Sequence, residues 1–154
     1  MNKKTIMKKY FILPFFLSVI FSNAQLLEKT AVNISYRYTG RNVLQAGLEY
    51  RFGDSYEGSI IAGPSLLYTN VNETDKLIPE MNINFLRAGL LVGVSANPYS
   101  VESRIGVSLF NAVFLNTGYA FPIHRDKYFK GITFGIQLNI APKHSKFYDN
   151  LKIM

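Results

Sequence analysis

After its first two dozen residues the chain alternates apolar and polar positions with a period of two, the signature of strands with two different faces. Seven segments carry the pattern: 30–38, 43–52, 59–68, 82–94, 101–109, 113–121 and 131–140. Turn-forming residues separate several of them, including Thr39-Gly40-Arg41-Asn42, Gly53-Asp54-Ser55 and Asn97-Pro98. No stretch repeats with helical spacing, and no connection is long enough for serial βαβ crossovers. An antiparallel meander is the predicted arrangement, and the closed barrel is its expected end state.

The two faces differ in kind. One carries Val32, Ile34, Leu48, Leu86, Leu90, Val107, Leu115 and Ile136 with their equivalents, more than two dozen large side chains in all. The other carries glycines, small polar residues and a charged set: Arg37, Glu49, Arg51, Arg87, Glu102 and Arg104. The interior of a closed eight-stranded parallel barrel takes about twelve side chains, so the aliphatic face is too large to be the inside of a small barrel. The polar face makes a poor water-facing surface. Every Lys beyond residue 24 lies outside the seven segments, whereas exposed strands usually carry Lys against edge pairing. Recurrent glycine weakens strands and implies crowding on the polar side. Apolar-out and polar-in is the pattern a lipid-embedded barrel requires, and most segments have the 9–11 residues a tilted membrane strand needs. Leu48, Leu90, Val107 and Ile136 are therefore expected to face lipid, and the Arg/Glu set the lumen.

The first 24 residues read as an export signal. Lys3, Lys4, Lys8 and Lys9 precede an apolar run from Tyr10 to Phe21, and Ser22-Asn23-Ala24 is a small-residue cleavage site. The run is shorter than the roughly 20 residues of a spanning helix and contains Pro14. Removal before Gln25 takes four basic residues away, so the net charge of +7 falls to +3. The basicity is then largely an address, and nucleic acid is not an expected partner. The chain has no Cys, which excludes disulfides and thiolate metal sites. The expected division is 1–24 signal peptide, 25–142 barrel and 143–154 a tail or weak last strand.

Segments such as RAGLLVGV (87–94), SRIGVSL (103–109) and GITFGIQLNI (131–140) resemble those of the small bacterial outer-membrane β-barrels of the OmpA/OmpX type. The resemblance covers the chain after the signal. It implies an integral outer-membrane location, outer-membrane lipid as surroundings and insertion by the barrel-assembly machinery. Such barrels have an even strand number with both termini periplasmic, so eight strands are expected where seven are readable. The eighth is sought in the tail, in which Asp149 would share a face with Phe147 and Leu151, or within 70–81.

Candidate chemistry is sparse. The longest predicted loop, 70–80, holds Asn70, Asn72, Glu73, Asp75 and Glu80, oxygen donors of the type calcium uses. It lacks EF-hand spacing, and a solvated loop is the better reading. Asn33-Ile-Ser35 and Asn72-Glu-Thr74 match the short glycosylation pattern. His124, Arg125, Lys127 and Lys130 form a basic connection suited to phosphate groups or periplasmic polymer, or simply to water. His124 and His144 are too isolated for a metal site, and no Ser has a nucleophile-elbow context. No catalytic residue, cofactor or metal is expected. The Arg/Glu set reads as a structural plug of ion pairs, or alternatively as the lining of a narrow pore. The expected function is a non-enzymatic envelope-structural or surface-interaction barrel. The competing expectation is a soluble periplasmic barrel or sandwich holding a lipophilic ligand.

Overall fold

The structure is a computed structural model that describes residues 27–54, 58–143 and 145–148. The predicted signal peptide and the end of the tail lie outside the described residues. Eight strands close into an antiparallel up-and-down barrel. They are β1 (Thr30–Tyr38), β2 (Asn42–Asp54), β3 (Gly58–Val71), β4 (Thr74–Arg87), β5 (Leu90–Ala96), β6 (Ser100–Leu109), β7 (Val113–Pro122) and β8 (Gly131–Ile140). Each pairs with its sequence neighbours, and β1 closes on β8 through a ladder running from Val32–Ile140 to Tyr38–Phe134. Closure removes the free edges that a flat sheet of this composition would present.

The eighth strand lies neither in the tail nor in a separate segment between β3 and 82–94. The segment 82–94 is two strands, the end of β4 and the whole of β5, joined by Ala88-Gly89. Both turn residues are left-handed (φ +50° and +78°), the geometry whose twist suits a two-residue hairpin. The stretch 70–80 is likewise no loop. It forms the far half of the β3–β4 hairpin, turned by Asn72 and Glu73 at φ +51° and +63°. Asn70 and Asp75 are cross-strand partners on the outer face, 2.8 Å apart, whereas Glu80 points into the lumen, so the five oxygen donors do not converge on one point.

The turn at 88–89 also reverses facing. Arg87 pairs with Leu90, so both point the same way. Leu86 is inward and 5% exposed, while Arg87 is outward. The expectation that Leu86 lay outside and Arg87 inside came from running one strand's parity through the turn, and the structure corrects both.

Elsewhere the facing is as the alternation requires. Val32, Leu48, Leu90, Val107 and Ile136 lie outward and are 42–63% exposed, while Arg37, Glu49, Arg51, Glu102 and Arg104 lie inward and are at most 4% exposed. Inward glycines relieve backbone crowding: a Cβ on Gly63 would collide with the Leu48 carbonyl. The barrel has a terminal end, where β1 starts and β8 finishes, and a distal end. The distal connections are 39–41, Asn72-Glu73, 97–99 and 123–130.

Candidate functional site: a layered lumen

The interior is built in three layers. At the distal end, Val43, Leu67, Ile78 and Ala120 point inward near the ends of their strands and enclose Phe129 from the β7–β8 connection, 1% exposed. At the terminal end, Ala31, Ile61, Leu86, Leu91 and Phe114 surround Phe147 from the C-terminal tail, which is fully buried. Between these apolar stoppers the wall is polar and charged.

The tail reaches the terminal mouth by specific bonds. Arg51 donates to the Phe147 carbonyl at 2.8 Å and Asn111 donates to the same oxygen at 3.2 Å. Ser145 Oγ donates to the Glu28 carbonyl at 2.5 Å, which ties the tail to the chain just before β1. Tyr148 packs against the ring of Phe147 and donates to the Asn139 carbonyl. At the surface the Glu28 carboxylate lies 2.9 Å from Lys146 and raises the pKa of its ammonium. Residues 145–148 are therefore a plug and not a strand.

In the middle layer four charges form a closed ring. Arg37 on β1 reaches Glu80 on β4 at 2.9 Å and Glu102 on β6 at 3.0 Å. Arg104, also on β6, approaches the same two carboxylates at 3.5 and 3.6 Å. All four side chains are 0–3% exposed. The ring is neutral, and arginine hydrogen bonds to Glu80 together with ion-pair contacts to Glu102 offset part of the desolvation that burial imposes. Asn97 donates to Glu80 at 3.1 Å and Thr133 donates to Glu102 at 3.0 Å. A belt of neutral bonds continues along the wall, Ser35 to Gln45 and Gln45 to Ser65.

Of the six predicted lumenal charges, Arg37, Glu102 and Arg104 come together. Glu49 sits apart and accepts from Gln137 at 2.9 Å. Arg51 holds the tail, and Arg87 is outside. Sequence reasoning missed Glu80, having placed it in a loop. The available signal was spacing: Ile78, Glu80, Asn82 and Asn84 alternate with Leu77, Pro79, Met81, Ile83 and Phe85. Asn33 is buried in the lumen, so the first glycosylation match is sterically closed.

The outer surface is the complement of this interior. Asp75 and Arg87 are charged side chains at outward positions near opposite ends of β4, and among the described side chains no charged one lies between them on the outer face. At about 3.3 Å per residue and a tilt of about 40°, the separation of these two residues corresponds to a band roughly 30 Å tall. Aromatic residues lie toward both borders: Tyr38, Tyr68 and Tyr119 toward the distal end, and Tyr50, Phe52, Phe85 and Phe110 toward the terminal end.

No protein-family profile matches the chain. Neither a curated protein nor a solved structure matches it significantly either. The layered lumen and the apolar band therefore carry the functional reading by themselves.

Proposed function

We propose that this protein is a non-enzymatic integral barrel of a bacterial outer membrane, with an envelope-structural or surface-interaction role. The observation that carries the reading is the charge-free outer band between Asp75 and Arg87, whose height of roughly 30 Å matches a hydrocarbon core of similar thickness. In water that band would be a very large exposed apolar patch, far above the few hundred Å² a soluble monomer tolerates. In lipid it is the stable arrangement, because the closed barrel pairs each strand with both of its neighbours and leaves no open sheet edge in the band. The aromatic borders fall where interfacial Tyr and Phe are favoured.

On this reading the termini are periplasmic and the distal connections face the exterior. The ring of charges and the two Phe stoppers support a structural lumen over a conducting one. An apolar layer at each end leaves no continuous polar path, and the middle is bolted by ion pairs. Insertion then falls to the barrel-assembly machinery after export by the predicted signal peptide.

Fractionation tests the reading. The protein is expected in the membrane pellet after osmotic shock and carbonate washing, extracted only by detergent, and to migrate faster on gels unheated than boiled. Release into buffer by osmotic shock alone would overturn it.

A further inference from the structure

The basic connection between β7 and β8 lies on a different side from the one seven strands imply. With β4 and β5 separated, it joins the distal end, beside the β1–β2 turn and opposite the termini. The two connections touch: a Cβ on Gly40 would lie 3.4 Å from the Lys130 carbonyl.

Within this rim the charges divide into used and unused. Tyr128 is flanked by the Lys76 ammonium, 4.7 Å from its ring centroid, and the Arg41 guanidinium, 5.7 Å from it. Its hydroxyl accepts from Lys76 at 3.0 Å and donates to Asp126 at 3.3 Å. The backbone N–H of Asp126 donates to His124 Nδ1. Lys76, Arg41 and Asp126 are thus occupied in holding the loop over Phe129. Arg125, Lys127 and Lys130 are exposed, and no ion pair among the described residues involves them.

Directly below this rim the outer wall is concave. An open apolar groove of about 780 Å³ starts at Tyr38 and Phe134. It continues across Ile136, Leu115 and Val107 to Leu90 near the terminal border. Gly106 and Gly135 lie in its floor. Because it follows the ladder across tilted strands, the groove descends obliquely from the distal rim through the apolar band. On β8 its head is Phe134, three residues after Gly131, and on β1 it is Tyr38, which adjoins the Thr39–Arg41 turn.

We propose that the β7–β8 connection and this groove form a binding site for an anionic lipid of the distal leaflet. Its headgroup phosphate meets Arg125, Lys127 and Lys130, and an acyl chain lies along the groove. Charge complementarity selects the headgroup: three unpaired cations on one connection suit a phosphate with more than one negative charge. The groove selects a ligand with a chain, since a free anion gains nothing from Tyr38, Phe134 or Leu115. The site rests on the membrane reading above, which places the rim at the headgroup level.

Native mass spectrometry of the full chain in non-ionic detergent tests it, with phosphatidic acid and phosphatidylcholine of equal chain length as probes. Phosphatidic acid is expected to bind with at least tenfold preference. Each cation near an anionic lipid surface contributes about fivefold, so the triple variant Arg125→Gln, Lys127→Gln, Lys130→Gln should remove that preference. Thr117→Trp, which fills the groove and leaves the cations intact, should weaken both lipids. Glycerol 3-phosphate, which has the phosphate without the chain, should not compete at equal concentration. Equal binding of the two lipids, an unaffected triple variant, an unaffected Thr117→Trp variant or effective competition by glycerol 3-phosphate would each overturn the site. Heat-modifiable migration of every variant reports the barrel separately. A folded detergent-dependent barrel without lipid preference defeats this proposal alone, whereas a buffer-soluble protein defeats the membrane reading first.

Discussion

Arg37 and Glu80 meet at 2.9 Å across the lumen, although 43 residues separate them in the chain. The contact joins β1 to β4, which are not neighbours in the sheet, and Arg37 extends it to β6 through Glu102. The barrel is therefore braced across its axis as well as around its circumference. Such bracing is asymmetric in its energetics. A buried pair adds little over apolar packing, but losing one member strands the other in a low-dielectric site.

Glu80→Ala is accordingly expected to destabilise the folded barrel by about 3–5 kcal/mol, because Arg37 and Arg104 would then share Glu102 alone. The double variant Arg37→Met, Glu80→Leu keeps the ring neutral and is expected to recover most of that loss. Urea unfolding in lipid vesicles, followed by gel migration, measures both. Equal destabilisation by the single and double variants would show that the ring does not act as a unit.

The outer face gives a depth-dependent prediction. Ile136 lies in the middle of β8, while Leu90 pairs with Arg87 at the terminal border. Ile136→Arg should cost about 2–4 kcal/mol and Leu90→Arg about 0–1 kcal/mol, since an outward charge is expensive only near the midplane. Vesicle refolding yields and unfolding midpoints separate the two. A similar cost at both positions would remove the assigned tilt and depth.

The β4–β5 turn supplies a backbone test. Ala88 holds φ +50°, which disfavours a residue with a Cβ by roughly 1 kcal/mol. Ala88→Asn creates the Asn-Gly pair that such turns prefer and is expected to stabilise the barrel by a few tenths to 1 kcal/mol. Ala88→Pro, whose ring fixes φ near −65°, should prevent correct β4–β5 pairing. The unfolding midpoints of these two variants should shift in opposite directions.

This turn also shows what was legible in the sequence. Alternation alone revealed the barrel, its outward aliphatics and three members of the charged ring. It failed where period two changes parity. Asn82 and Asn84 are polar at even positions, whereas Leu90, Val92 and Val94 are apolar at even positions. A continuous strand cannot satisfy both, and Ala88-Gly89 is where the phase flips. Reading that flip would have yielded β5, turned Arg87 outward and moved the basic connection to the distal end. Glu80 was hidden for a different reason. The tip of the β3–β4 hairpin is rich in Asn, Asp and Glu, so strand and loop looked alike by composition. The roles of Phe129 and Phe147 lay beyond any local pattern, since each stoppers a mouth formed by strands distant in sequence.

The stoppers make a conductance prediction. The protein in planar bilayers should show no single-channel steps. Phe129→Ala with Phe147→Ala should stay silent as well, because the charged ring still bridges the lumen. Each substitution removes a fully buried ring and should cost about 3–5 kcal/mol if the mouth does not collapse. Steps from the unaltered protein would contradict the layered lumen.

The central claim is that side chains on alternate positions of each strand face lipid and lumen respectively, and the absence of Cys allows it to be read with single spin labels. Ile136→Cys and Gln137→Cys, each labelled with a nitroxide in lipid vesicles, are the most direct pair. The account predicts that the label at 136 is relaxed strongly by oxygen dissolved in the bilayer and little by a water-soluble nickel complex, while the label at 137 is immobilised and reached by neither. A label at 136 relaxed by the nickel complex, with the label at 137 reached by oxygen, would contradict it.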